Sequence, residues 1–238
     1  MKRLALTLLL LVTCAAAAHA QAPAAKKPNG THYLVLIRHG MYDSDTTVTD
    51  DTKGNALNAL GHEQARLTGE RLKGLPVKIH SLVASPYLRA AETAADIGKV
   101  LGMTPVVDTL VHECTPRFES RPDYTRLETD EGMAACEANL QAAFAKYFVP
   151  TPEADTHDVI VCHGNVIRWL FCKAMQMDPL LWRRFTIGNG SLTVFAVAPD
   201  GVVRLAAYSD TGHIPVEKQS WTGRGPGWMP PPPPKAMR

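Results

Sequence analysis

The chain has 238 residues, 45% of them hydrophobic, and a formal net charge of +2 at pH 7. That length fits one domain with a full core. So balanced a charge, with no basic cluster interleaved with aromatics, excludes the electrostatic footprint of a nucleic-acid binder.

In chain order, Lys2 and Arg3 precede an apolar run over 4–12 that is too short to span a bilayer, and Ala18-His19-Ala20 offers small residues at cleavage spacing before Gln21. This is the pattern of a secretory signal peptide over 1–20. It predicts cleavage after Ala20, no membrane span in the mature chain, and a secreted or periplasmic location. Residues 21–31, rich in Ala, Pro and Lys, read as a flexible leader. Strands and helices then alternate over 32–222. The apolar run 33–37 reads as a buried strand that ends in Arg38-His39-Gly40. A helix is predicted over 60–72, with Asn58 as its cap and Gly74-Leu75-Pro76 as its stop. A second strand over 79–84 runs into Ser85-Pro86, and 87–100 is helical with Leu88, Ala91 and Ala95 on one face. Residues 132–148 repeat apolar side chains at helical spacing. Asp158-Val159-Ile160-Val161-Cys162 is another buried strand, and Val166, Ile167, Leu170, Phe171 and Ala174 give the next helix an apolar face. Residues 191–197 and 202–208 form a hairpin around Pro199-Asp200-Gly201. The alternation predicts an α/β protein, a three-layer αβα sandwich on a mostly parallel sheet. Five consecutive prolines, Pro230 to Pro234, make 223–238 an extended, disordered tail.

Cys162 and Cys172 lie in apolar segments and read as small core residues, while a Cys114–Cys136 bridge is open from the sequence. The cysteine spacing matches no metal pattern. The polar punctuation is more telling. One strand ends in Arg38-His39-Gly40, another leads through Ser85 to Arg89, and a third ends in His163-Gly164-Asn165, with His112-Glu113 between them in sequence. The carboxyl ends of strands in an open α/β sheet converge on a ligand crevice, so these side chains are predicted to share one pocket.

Leu36-Ile37-Arg38-His39-Gly40, Leu60-Gly61-His62-Glu63-Gln64-Ala65, Ser85-Pro86-Tyr87-Leu88-Arg89-Ala90 and Cys162-His163-Gly164-Asn165 together resemble the histidine phosphatase superfamily, with its phosphoglycerate-mutase-like fold. Cys162 to Trp169, Asn189-Gly190-Ser191 and Asp210-Thr211-Gly212-His213 resemble more closely the branch of a mitochondrial phosphoglycerate-mutase-like Ser/Thr protein phosphatase and its bacterial relatives. The family commonly carries Asn seven residues after its first Arg, where this chain has Asp45; the closer branch tends to carry Asp there.

The resemblance implies a metal-independent phosphomonoester hydrolase with His39 as nucleophile and no cofactor. A neutral imidazole nitrogen attacks phosphorus without a separate base. Arg38 and Arg89 supply fixed, bidentate positive charge, His163 adds a third cation when protonated, and Gly164 and Asn165 open a helix whose first amides bind anions. Glu113 is the expected proton donor, ahead of Asp45 and Asp43. Arg117, Arg121 and Arg126 follow it and read first as a solvated basic loop, with a flank for an anionic substrate as the alternative. The substrate is either a phosphorylated small molecule or a phosphoprotein. A Ser/Thr protein phosphatase, a phosphoglycerate mutase and a catalytically silent binding protein of the same fold stay open as alternatives. The closer relatives associate, which implies a homodimer.

Overall fold

A computed structural model describes residues 29–119 and 128–221. The predicted segments 1–20 and 223–238, and Arg121 and Arg126, lie outside the described residues. Within them the chain forms β1 (His32–Arg38), α1 (Ala59–Lys73), β2 (Ser81–Ala84), α2 (Leu88–Leu101), β3 (Val106–Val107), α3 (Asp130–Tyr147), β4 (Thr156–Cys162), α4 (Gly164–Ala174), β5 (Leu192–Val197) and β6 (Val203–Asp210). The sheet order is β3-β2-β4-β1-β5-β6. β4 lies between β1 and β2 and is parallel to both, β2 is parallel to β3, and β5 and β6 close the other edge antiparallel.

The layers follow from the period of two along the central strands. Leu34 and Leu36 of β1 and Ile160 and Cys162 of β4 face one side, in a core with Cys136 and Leu140 of α3 and Val166, Ile167 and Leu170 of α4. Val35, Ile37, Val159 and Val161 face the other, against Leu72 of α1 and Ala90, Ala94 and Ile97 of α2. Strands covered on both faces read as unbroken apolar runs, the signal that marks β1 and β4 in the sequence. Each such fully buried Leu or Ile stabilises the fold by about 1.5–3 kcal/mol. The chain moves outward through β2 and β3 with its helices on one face, then returns through β4 with helices on the other. That is what right-handed parallel crossovers require when the direction of winding reverses.

Local signals set the boundaries. Asn58 accepts from the Gly61 amide at 3.0 Å and caps α1, and Thr129 does the same for Gly132 at 3.0 Å and caps α3. Gly201, with φ +84°, turns the β5–β6 hairpin. β3 escapes the sequence reading: it is two residues long, and Val106 and Val107 are 66% and 59% exposed, so no burial pattern marks it. Cys114 and Cys136 are joined in a disulfide, while Cys162 and Cys172 are free and buried.

Candidate active site

The three adjacent carboxyl ends of β2, β4 and β1 build the site. Arg38 lies opposite Cys162, so the next residues along, His39 and His163, leave neighbouring strands side by side. Their rings are 5.1 Å apart between centroids. The turn after β1 is tightly packed. The His39 amide donates to Cys162 O at 3.0 Å, and the Gly40 amide donates to Thr93 Oγ1 at 3.0 Å. A Cβ on Gly40 would stand 2.4 Å from the Gly61 carbonyl oxygen, and one on Gly61 would stand 2.0 Å from that of Met41. Both glycines are therefore needed for the close approach of the turn to α1.

Hydrogen bonds assign the imidazole tautomers. His39 Nδ1 lies 2.8 Å from the Gly40 carbonyl and donates to it, which leaves the Nε2 lone pair free for attack. Asn189 Nδ2 donates to the His39 carbonyl at 3.0 Å and the Gly40 carbonyl at 3.3 Å. Ser220 Oγ donates to Asn189 Oδ1 and accepts from Gln64 Nε2, each at 3.0 Å, and Gln64 Oε1 accepts from the Met41 amide at 2.8 Å. His163 Nε2 lies 2.7 Å from Ser85 Oγ, which itself accepts from the Tyr87 amide at 3.3 Å. In the tautomer in which the Ser85 hydroxyl donates to Nε2, the hydrogen of His163 is on Nδ1. That Nδ1 is buried and has no partner.

Arg38 and Arg89 are buried, 7% and 5% exposed. Arg38 Nη1 donates to the Ile187 carbonyl at 2.8 Å, and Arg89 Nη1 to Asp51 Oδ1 at 2.5 Å. The Nε of each is buried without a partner. Buried donors left unmade are costly, and here they surround two histidines at the mouth of a helix. α4 begins at Gly164 beside these donors, and the side chain of its N-cap residue, His163, makes no capping hydrogen bond. Burial, then Arg168 and Arg89, hold Arg38 down to about 10, still charged at neutral pH.

Glu113 lies on the segment after β3. Its carboxylate accepts from the Asn165 amide, and Asn165 Nδ2 donates to the Cys114 carbonyl at 3.0 Å, so the start of α4 grips both residues. Glu113 Oε1 is buried without a partner. Burial raises its carboxyl above the usual range, against the pull of Arg168, Arg89 and Arg38. His39 is pushed well below the ordinary imidazole range, first by burial and then by Arg38 and Arg89. His163 is lowered likewise by burial and by His39, Arg89 and Arg38. Burial and the neighbouring arginines thus hold both histidines toward the neutral form.

Arg38, His39, Arg89, Glu113, His163 and Gly164 thus meet at one edge of the sheet. Other expected residues do not join them. Asp45 is exposed and bonded to Thr47, which lowers its pKa, and exposed Asp43 accepts from Asn58 at 3.0 Å. Arg117 pairs with Glu137 through Nε at 2.9 Å. The sequence reading missed Asp51, Tyr42 and the role of Tyr87 at Arg89, along with Asn189, Gln64 and Ser220 behind His39. For these last three the only available signals were a helix signature containing Gln64 and the tripeptide Asn189-Gly190-Ser191.

Strand order and layering make this a phosphoglycerate-mutase-like α/β protein. Its sequence carries the assignment further: the chain belongs to the histidine phosphatase superfamily (branch 1), whose family model matches residues 34–117 and 112–211. It is 35% identical over 201 residues to the mitochondrial serine/threonine-protein phosphatase PGAM5 of Xenopus tropicalis, covering 82% of this chain and 70% of that protein. With the human protein of the same name it shares 36% identity over 198 residues, 81% of this chain and 67% of the relative. Among solved structures it is similar to phosphoglycerate mutase from Plasmodium falciparum, with a TM-score of 0.55 and 26% identity over 79% of this chain and 97% of that one.

These relatives correct one expectation. They are mitochondrial proteins by name, which overturns the secreted or periplasmic location drawn from residues 1–20. The cause is compositional. No Asp or Glu occurs before Asp43, and a basic, acid-free N-terminus is shared by secretory and mitochondrial leaders.

Proposed function

We propose that this protein is a phosphomonoester hydrolase that works through a phosphohistidine on His39. The observation that supports it best is a neutral imidazole, its Nδ1–H spent on the Gly40 carbonyl, set among two buried guanidinium groups whose Nε donors lack partners. In-line attack by His39 Nε2 forms the N–P bond as the P–O bond to the leaving group breaks. Charge developing on the equatorial oxygens is met by Arg38, Arg89, His163 and the start of α4 at Gly164. Glu113, whose carboxyl burial raises above the usual range, gives its proton to the leaving oxygen and releases the alcohol. The resulting carboxylate then takes a proton from water, which attacks phosphorus, breaks the P–N bond and releases inorganic phosphate.

The names of the relatives favour phosphoserine and phosphothreonine of proteins as the substrate class. The likeness to a mutase favours a second outcome, return of the phosphoryl group to another hydroxyl. One experiment addresses all of this. The wild-type protein is incubated with p-nitrophenyl phosphate, a phosphoserine peptide and 3-phosphoglycerate, with and without vanadate, and compared with His39→Ala. Vanadate-sensitive phosphate release, an acid-labile phosphoprotein in the wild type and loss of both in His39→Ala are expected. Wild-type turnover by His39→Ala would remove the nucleophile from the mechanism, and transfer within 3-phosphoglycerate without phosphate release would make the enzyme a mutase.

A further inference from the structure

Arg38 and Arg89 are built alike up to a point. In each, Nη1 is anchored and Nε is buried with no partner. The anchors differ in charge. Arg38 is held by a neutral backbone carbonyl, whereas Arg89 is held by the carboxylate of Asp51, whose side chain is 35% exposed while that of Arg89 is 6% exposed. The Arg89 guanidinium carbon lies over two aromatic rings, 4.9 Å from the Tyr42 centroid and 5.2 Å from that of Tyr87. With two rings against the guanidinium and Nη1 pinned, the buried, unpartnered Nε is left for an anion.

Asp51 is itself fixed to the helix that carries Arg89. Its backbone carbonyl accepts from the Leu88 amide at 2.8 Å, at the start of α2 and one residue before Arg89. Its Oδ1 also accepts from Asn55 Nδ2 at 3.2 Å. Further along the same loop, the Leu57 amide donates to Glu92 Oε2 at 2.7 Å. The loop after β1 is thus fastened to α2 on both sides of the ion pair.

Resting on the phosphatase reading, we propose that Asp51 is a positioning residue for Arg89. Its carboxylate holds the guanidinium edge toward the phosphate before substrate arrives, and its negative charge limits how tightly phosphate is retained afterwards. An unanchored arginine loses rotamer entropy on binding, so an anchor removes that cost from substrate capture. A buried guanidinium also needs a counter-charge while the pocket is empty. The same carboxylate opposes the phosphate through space, and that separates its two contributions experimentally. Asp51→Asn keeps an acceptor oxygen in place but removes the charge, and Asp51→Ala removes both.

The test measures kcat and KM with p-nitrophenyl phosphate, and the affinity for inorganic phosphate by calorimetry, in wild type and both variants. Asp51→Asn is expected to bind phosphate about threefold more tightly, the effect of one unit charge roughly 7 Å away under water-like screening. Asp51→Ala is expected to lose about tenfold or more in kcat, because the donor edge is no longer held. An Asp51→Ala enzyme within about twofold of wild type in kcat overturns the proposal. So does an Asp51→Asn enzyme with unchanged or weaker phosphate affinity. Should Asp51→Ala not fold, the phosphate affinity of Asp51→Asn decides alone. Calorimetry needs no turnover, so if the phosphatase reading fails, through an inactive wild type or an active His39→Ala, the role of Asp51 at the anion site is still decided.

Discussion

The disulfide next to Glu113 gives a prediction whose size can be worked out. Cys114 and Cys136 are 22 residues apart, and their bridge ties the segment carrying Glu113 to α3. In the chain-entropy account, closing a loop of that length removes about 11 cal/mol/K from the unfolded chain, or about 3 kcal/mol at 25 °C. The native contacts around the bridge do not depend on it. Leu140 is buried in the core, Asn139 Nδ2 donates to the Leu110 carbonyl at 2.8 Å, and Arg117 holds Glu137. A Cys114→Ala/Cys136→Ala variant should therefore keep its native geometry and lose stability mainly through a freer unfolded chain. Alanine is the better replacement because Cys136 is 5% exposed and a serine hydroxyl would be buried there. In a domain of this size about 1 kcal/mol moves Tm by about 2–4 °C, so the expected fall is about 6–12 °C. Thermal unfolding followed by circular dichroism, for both proteins with and without a thiol reductant, measures it. Reductant should bring the wild type down to the variant and leave the variant where it is. Activity should fall less than stability, because the Asn165 amide and side chain hold Glu113 and Cys114 independently of the bridge. A drop under about 2 °C would refute the reasoning, since it would mean that the packing of α3 already confines the unfolded loop. An equal drop of the variant in reductant would show that reductant acts elsewhere.

Glu113→Gln should cost about 10²–10⁴-fold in kcat with an alkyl phosphate but less than about tenfold with p-nitrophenyl phosphate, whose leaving group needs little protonation; steady-state kinetics on the two esters check this. The reactive form needs His39 neutral and Glu113 protonated. A pKa lowered at His39 moves the rising limb of kcat/KM below 6.5, and one raised at Glu113 moves the falling limb above 4.5, so a bell is expected. Glu113→Gln should abolish the falling limb alone, as a pH–rate profile of the variant would show. Gly40→Ala puts a Cβ 2.4 Å from the Gly61 carbonyl oxygen, a clash between two backbones that cannot rotate away. It should destabilise the fold by about 1–3 kcal/mol and reduce turnover sharply; urea unfolding with a wild-type midpoint would contradict that.

What was legible in the sequence was whatever repeats or ends a repeat. β1 and β4 announced themselves because both faces are covered, α1 because Asn58 caps it, and the β5–β6 hairpin because Gly201 takes a positive φ. The candidate residues were legible for a related reason. Arg38, His39 and His163 each interrupt an apolar run where a strand stops, and strand ends in this architecture converge. The supports behind them left no such trace. Asp51 reaches Arg89 from 38 residues away and Ser220 reaches Asn189 from 31. A single polar residue in a loop or strap has no period to reveal it. The charge state of His163 was likewise out of reach, because a sequence does not state how completely a side chain is buried.

The helix signature around Gln64 shows how support and chemistry are joined. Gln64 approaches no phosphate donor directly. Its carbonyl oxygen takes the Met41 amide, and its amide group donates to the Lys218 carbonyl at 2.7 Å and to Ser220 Oγ. Ser220 passes its proton toward Asn189, and Asn189 holds the carbonyls of His39 and Gly40. The Gly40 carbonyl is the group that takes the Nδ1–H of His39. Each donor in that series faces an acceptor, so the direction of the whole chain is fixed, and it ends by leaving the Nε2 lone pair bare. A motif that reads as helix packing is thereby coupled to the tautomer of His39, the proposed nucleophile. In that reading its glutamine bears on the orientation of the imidazole through a hydrogen-bond series.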